Sequence, residues 1–367
     1  MKPLLFVTGH APAYRVGALA RLHERQGIEL ALFGGRYKHG GAGFDQPMPF
    51  PHRYVRPREL FALAGSGDYR GVVCPTGGRL APLATWAGAR RARVPLILWA
   101  SLWAHPRSAA HALSYLPLRR LYRSADAVVT YGPHVSAYVG ARGARNVFVA
   151  PQSVDNEYWG AAATAAPSAE AWPAGADTRF LFVGRDAREK GVAVLIEAWR
   201  LAELPTPANA LVLVGTGFGA AGFAPAGLRR EGDAGIVSLD AVEPQQLRDM
   251  YAASDVLVVP SIPTRTFREP WALVVNEAMN RAMTVIASDA VGASVGGLVR
   301  DGANGLVVPA GDSGALAVAI RRVADDARLR ARLGRQAAQD VRAYSHEAWA
   351  QGFGEALASL GLARERW

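Results

Sequence analysis

The chain has 367 residues, 50% hydrophobic and 20% charged, too long for one typical domain and with the composition of a soluble globular protein in two domains. Cys74 is the only cysteine, which excludes an internal disulfide and a cysteine-based zinc cage and sets the expectation of a reducing, cytoplasmic compartment. The net charge of +10 is unevenly held: residues 1–155 carry 20 Lys and Arg against 7 Asp and Glu, a balance of +13, whereas residues 156–367 carry 21 against 24, a balance of −3.

The N-terminal "MKPLLFVTGHAPAYR" has an apolar run too short for the core of a signal peptide, and no run in the chain reaches the length of a membrane span. Short β-rich runs follow, "LLFVTG", "IELALFGG", "GVVCPTGG", "VPLILWA", "AVVTYG" and "NVFVAPQ", with Ala- and Arg-rich helical stretches between them. That rhythm predicts parallel strands joined by crossover helices. In a doubly wound sheet the loop after the first strand opens on the ligand side, so Gly9, His10, Tyr14 and Arg15 are candidates for contacting a ligand. Arg90, Arg91, Arg93, Arg107, Arg119, Arg120 and Arg123 are interleaved with Trp99, Trp103, Tyr115 and Leu116. This cluster admits solvated helix faces, an anionic membrane surface, a phosphorylated acceptor or nucleic acid.

Residues 160–179 are dominated by Ala, Pro and Gly and read as a linker. The strand rhythm then resumes with "FLFVGR", "ALVLVGTG", "IVSLD", "DVLVVPS", "TVIASD" and "GLVVPAGD". The expected boundaries are a first domain over 1–160, a linker over 161–178, a second domain over 179–345, and a C-terminal helix over 346–367 that packs back on the first domain. After "RFLFVG", Arg185 and Lys190 stand in a strand-to-helix loop where a cation pair and free backbone N–H groups can share the charge of a diphosphate. Gly217, Gly219 and Gly222 satisfy G-x-G-x-x-G, with Asp240 18 positions further on, but Pro225 and two more glycines stand where a firm helix should open. A tight turn is the better reading. Further on, "FREPWALVVNEAM" predicts a helix starting at Pro270, with Leu273, Val274, Val275 and Ala278 toward a core, Glu269 at its mouth and Glu277 two turns in. No histidine spacing indicates a catalytic metal.

Five blocks in order over about 130 residues carry a resemblance: "FVGRDAREKGVAVLIEAW", "LVLVGTG", "YAASDVLVVPS", "EPWALVVNEAMNRAMTVIASDAVG" and "LVRDGANGLVVPAGD". Together they resemble the C-terminal half of family-4 retaining glycosyltransferases, and "YRSADAVVTYGP" and "VFVAPQSVDNEYW" extend the likeness more weakly into the first half. The resemblance implies a GT-B fold, an α/β architecture of two Rossmann-like domains facing each other across an interdomain cleft. It implies a metal-independent hexosyltransferase with no cofactor, whose co-substrate is a nucleoside diphosphate sugar, UDP-linked by family frequency.

By the same resemblance, Arg185 and Lys190 hold the donor diphosphate, Glu269 reaches the donor sugar, and Glu277 accepts hydrogen bonds from the ribose. Backbone at Trp271, Ala272, Leu273 and Val274 touches sugar and phosphates, and the base lies against the segment around Val242. Two departures stand out. Ala272 replaces the family's usual glycine, and the histidine often found directly after the fourth strand is absent, with Ser101 near that position and His105 four residues later as the candidate contact to the reacting groups. The acceptor hydroxyl is expected on a lipid-linked glycan, a glycoside or a small molecule, with peripheral contact to an anionic membrane as one option and no nucleic-acid partner. Rival readings are a nucleotide-sugar epimerase of the same fold, an NAD(P)-dependent oxidoreductase using the glycine pattern, and a nucleic-acid-binding protein resting on the basic first half.

Overall fold

A computed structural model describes residues 1–34, 48–78, 80–163, 175–217 and 235–364. Gly219, Gly222 and Pro225, and residues 164–174 of the expected linker, lie outside the described residues. The chain divides into two compact units, residues 1–155 with 344–367, and residues 156–343.

The first unit holds a seven-stranded sheet of β1 (Leu4–Thr8), β2 (Ile28–Leu32), β3 (His52–Tyr54), β4 (Val72–Pro75), β5 (Leu96–Ala100), β6 (Ala127–Thr130) and β7 (Val147–Val149). Their order is β3-β2-β1-β4-β5-β6-β7, and every pairing is parallel. Every residue of β1, β5 and β6 is buried, as a sheet covered by helices on both faces requires, which is why these strands read as continuous apolar runs. The strand β3 was not foreseen. Its sequence, His-Arg-Tyr, is polar and all three residues are exposed at the sheet edge, so it carries no apolar signature.

One face of this sheet is covered by the helix Ala13–Gln26 together with the helix His346–Ser359 from the far end of the chain. Leu19 and Leu22 of the former and Trp349 and Phe353 of the latter pack with Phe6 and Trp99, and the rings of Trp349 and Phe353 lie 4.6 Å apart. A side chain at Gly352 would overlap the Val149 carbonyl, so the C-terminal helix rests directly on β7 backbone. The other face carries the helices Ala81–Ala92, Ala109–Ser124 and Pro133–Gly140, with Tyr122 and Val139 buried against Leu5 and Leu98.

The second unit holds β8 (Thr178–Val183), β9 (Asn209–Val214), β10 (Ile236–Leu239), β11 (Val256–Val259), β12 (Thr284–Ser288) and β13 (Gly305–Val308). The order is β10-β9-β8-β11-β12-β13, again parallel throughout. Helices Val192–Ala202 and Ser313–Asp325 bury Leu195, Ile196, Trp199, Leu316 and Ile320 on one face. Both units are therefore doubly wound. In each, the chain starts in mid-sheet and reverses direction, between β1 and β4 in the first and between β8 and β11 in the second, which are the switch points where open α/β sheets take ligands.

The helix expected from Pro270 starts later, at Val274, and runs only to Asn280. Ala272 adopts φ 74°, a left-handed conformation that no α-helix continues through. The preceding residues pair instead with the 291–293 segment, Gly292 N–H donating to Glu269 O at 3.0 Å and Ala293 N–H to Trp271 O at 2.9 Å. Glu277 accordingly sits in the first turn of the helix rather than two turns in.

Candidate active site

In the second unit the loops leaving β8 and β9 lie against each other. Gly184 N–H donates to Val214 O and Asp186 N–H to Thr216 O, and the approach is so close that a side chain at Gly215 (φ 147°) would overlap the Gly184 carbonyl. The β8 loop then makes a short 3-10 turn, Arg188–Lys190, before Gly191, whose φ of 71° and contact with the Pro260 carbonyl leave no room for a side chain. Ile262 N–H donates to Glu189 O at 2.9 Å, so this turn is tied to the loop leaving β11.

That tie brings two of the expected residues together. Lys190 Nζ donates to Glu269 Oε2 at 2.5 Å, with the Lys190 side chain 22% and the Glu269 side chain 9% exposed. Arg185 is placed differently: its side chain is 64% exposed and pairs with Glu189 at 3.2 Å in the same turn. The switch point of the second sheet thus carries one part-buried ammonium held by a carboxylate and one exposed guanidinium.

Glu277 meets neither cation. Its carboxylate accepts from the Tyr251 hydroxyl at 2.7 Å, and burial pushes its pKa up to about 7, against the lowering effect of that hydrogen bond. Burial and the neighbouring carboxylate push Tyr251 well above the usual phenol range, so it remains a donor. Beside it, Trp271 Nε1 donates to the buried Asn276 side chain at 2.8 Å, fixing the segment that contains Ala272. Leu273 and Val274 are partly buried at the start of the helix. Val242 lies on the segment between β10 and the helix Pro244–Ala252, at the edge of the sheet and two strands from β8.

In the first unit Gly9, His10, Tyr14 and Arg15 line one pocket of about 490 Å³ at the carboxyl ends of β1, β4, β5 and β6. Thr76, Trp99, Ser101 and Tyr131 complete much of its wall. Arg15 is 4% exposed; one terminal nitrogen donates to Gln152 Oε1, and its guanidinium carbon lies 5.3–5.5 Å from the ring centres of Tyr14, Trp99 and Trp349. His105 is not among the residues of this pocket. Its Nε2 bonds the His111 carbonyl at 2.8 Å, its Nδ1 lies 3.4 Å from the Tyr138 hydroxyl, and its ring packs edge-on to Tyr115. Four residues past the end of β5, the chain has already turned toward the helix capped by Ser108, and Ser101 is the residue that stays at the pocket.

Tyr251, Tyr131 and Gln152 are neighbours of the candidate residues that sequence reading did not single out, and Trp99, grouped there with the arginine cluster, lines the pocket instead. Trp99 and Tyr131 lie at or just after the ends of β5 and β6, where the switch-point rule could have found them. Tyr251 and Gln152 are set by tertiary packing and leave no local signal.

Residues 169–340 match the family described as glycosyl transferases group 1. A D-inositol 3-phosphate glycosyltransferase of Streptomyces avermitilis is 37% identical over 176 residues, which are 45% of this chain and 36% of that relative, so the likeness spans little more than a third of the relative's length. Over the whole chain the likeness is one of fold. The Anabaena protein Alr3699/HepE, solved in complex with UDP and glucose, superposes with a TM-score of 0.73 at 19% identity, covering 98% of this chain and 100% of that one. The sucrose-phosphate synthase of Thermosynechococcus elongatus does so with a TM-score of 0.68 at 21% identity, covering 98% and 99%. Residues 169–340 thus carry the likeness to glycosyl transferases group 1, and the chain as a whole shares the GT-B fold of these solved structures.

Proposed function

We propose that the protein is a metal-independent, retaining glycosyltransferase that moves a hexosyl group from a UDP-sugar to an acceptor hydroxyl. The observation that carries this reading is the Lys190–Glu269 pair, a cation and a carboxylate fixed on the loops that flank the switch point of the second sheet, inside the region that matches the family. Lys190 and Arg185 neutralise the diphosphate, Glu269 is aimed by Lys190 toward the donor sugar, and Glu277 accepts from the ribose hydroxyls. Backbone at Trp271, Ala272, Leu273 and Val274 lies along sugar and phosphates, and the base packs near Val242. Uridine is supported by the Anabaena neighbour, which was solved with UDP.

In this mechanism the bond from the anomeric carbon to the diphosphate oxygen breaks as the acceptor oxygen bonds to the same face of the sugar. The hydroxyl proton passes to the leaving diphosphate oxygen, giving UDP and a product of unchanged anomeric configuration. Lys190 and Arg185 stabilise the charge that grows on the leaving group. The acceptor is taken by the pocket of Gly9, His10, Tyr14 and Arg15, and the inositol phosphate in the Streptomyces relative's name supports a polyhydroxylated acceptor. His105, with both ring nitrogens engaged, receives no role in the reaction. Proton NMR of the product formed from UDP-glucose, whose linkage is α, tests the mechanism: an α-glucoside supports it, and a β-glucoside overturns it.

A second observation favours peripheral attachment to an anionic membrane. Arg90, Arg119, Arg120, Arg123 and Leu116 line a groove of about 390 Å³, and Leu113 and Leu116 on the same helix are 81% and 68% exposed. Exposed leucines beside clustered arginines match a lipid interface, where each basic residue contributes about 1 kcal/mol. Among the described residues no helix is long and apolar enough to cross a membrane. Co-sedimentation with vesicles that rises with anionic lipid, falls with salt and is lost in R119E/R120E supports this attachment; equal recovery in the supernatant at all compositions contradicts it.

A further inference from the structure

Arg15 is a buried cation without a matching anion. Among the described residues its one side-chain hydrogen-bond partner is a neutral amide, Gln152, and its Nη1 has no hydrogen-bond partner. Among the described residues no carboxylate forms an ion pair with it, and the pocket it lines contains neither Asp nor Glu. The rings of Tyr14, Trp99 and Trp349 offset part of the burial cost through their π faces, but a guanidinium this buried is ordinarily paired. The indole Nε1 of Trp99, a residue of the same wall, is likewise a buried donor with no hydrogen-bond partner. The remaining wall supplies hydroxyls, from Thr8, Thr76, Ser101 and Tyr131, suited to the hydroxyl groups of a polyol.

We infer that this pocket selects an acceptor bearing an anionic group, a phosphate or a carboxylate, which docks on the Arg15 guanidinium while the wall hydroxyls orient the polyhydroxylated part. Arg15 is thus a specificity-determining residue, and the anion completes the charge balance that the folded chain leaves open. A guanidinium fork suits both oxyanions, because two parallel N–H donors match two oxygens of either. The inference rests on the reading of this pocket as the acceptor site.

The test is calorimetry on the full chain at constant ionic strength, with and without saturating UDP, using inorganic phosphate, glucose 6-phosphate, myo-inositol 1-phosphate, glucuronate and the neutral parent sugars. The expected result is binding of phosphate or carboxylate probes at least tenfold tighter than of glucose and inositol. Arg15→Gln should lower the anionic affinities about ten- to a hundredfold, Arg15→Lys should keep part of them, and UDP affinity should be unchanged in both variants. The better of the phosphate and carboxylate probes identifies the group. Equal binding of charged and neutral probes to the wild type overturns the inference even if Arg15→Gln fails to fold. Loss of UDP affinity in Arg15→Gln to the same degree as loss of glucose 6-phosphate also overturns it, since the guanidinium would then serve the donor. Failure of the wild type to bind UDP would instead count against the glycosyltransferase reading itself.

Discussion

Lys190 and Arg185 look alike in the sequence, two cations of one strand-to-helix loop, yet their environments separate what their removal should do. Arg185 is exposed, so Arg185→Ala should leave thermal stability within about 0.5 kcal/mol while weakening UDP binding about ten- to a hundredfold. Lys190→Ala removes the ammonium that donates to the Glu269 carboxylate, and should cost about 1.5–3 kcal/mol, read in a denaturant titration, as well as donor affinity. Glu277 provides a pH test. Its carboxyl is raised from 4.5 to about 7 in the folded chain, so its contribution is full below the unfolded value and is lost as pH rises through 7. Unliganded stability should therefore decline between about pH 5 and 7.5, by at most roughly 3 kcal/mol, and Glu277→Gln should flatten that decline. Ribose hydroxyls donating to the ionised carboxylate should pull its pKa back down. UDP binding should then release protons near pH 7, seen as a buffer-dependent enthalpy that Glu277→Gln abolishes.

Elements show most plainly what the sequence makes legible. Among the described residues, twelve of the thirteen strands announce themselves as apolar runs because the parallel sheets are covered on both faces, and only the exposed edge strand β3 lacks that mark. The shape of the glutamate segment was not legible. Periodicity from Pro270 reads as helix, whereas the left-handed turn at Ala272 and the hydrogen bonds to Gly292 and Ala293 are tertiary facts. Ala272→Gly should relieve that turn and raise stability by about 1 kcal/mol, measured by denaturant titration. Gly292 backs directly onto the Pro270 carbonyl, so Gly292→Ala should displace the Glu269–Trp271 strand, cost about 1–3 kcal/mol and lower transfer activity with it. A Gly292→Ala protein as stable and active as the parent would show that this contact does not hold the segment. In the first unit Gly9, His10, Tyr14 and Arg15, taken from the loop after β1, line one pocket, whereas His105, taken from the resemblance, is not among that pocket's residues.

At the scale of the whole molecule, the chain crosses from one unit into the next and then returns, its last helix closing the face of the first sheet with Trp349 and Phe353 fully buried. The first unit's core is therefore incomplete without residues 344–367, and the charge asymmetry follows the two units, since residues 344–367 carry 2 Arg against 3 Glu and leave the first unit strongly basic and the second slightly acidic. The donor assignment is the claim on which the rest depends, and titration of UDP into the wild type and Arg185→Ala at pH 7.5 tests it most directly. Saturable one-to-one binding to the wild type, weakened at least tenfold in an Arg185→Ala protein of unchanged melting temperature, is the predicted result. No heat of binding with the wild type, or identical affinity in the two proteins, would contradict it.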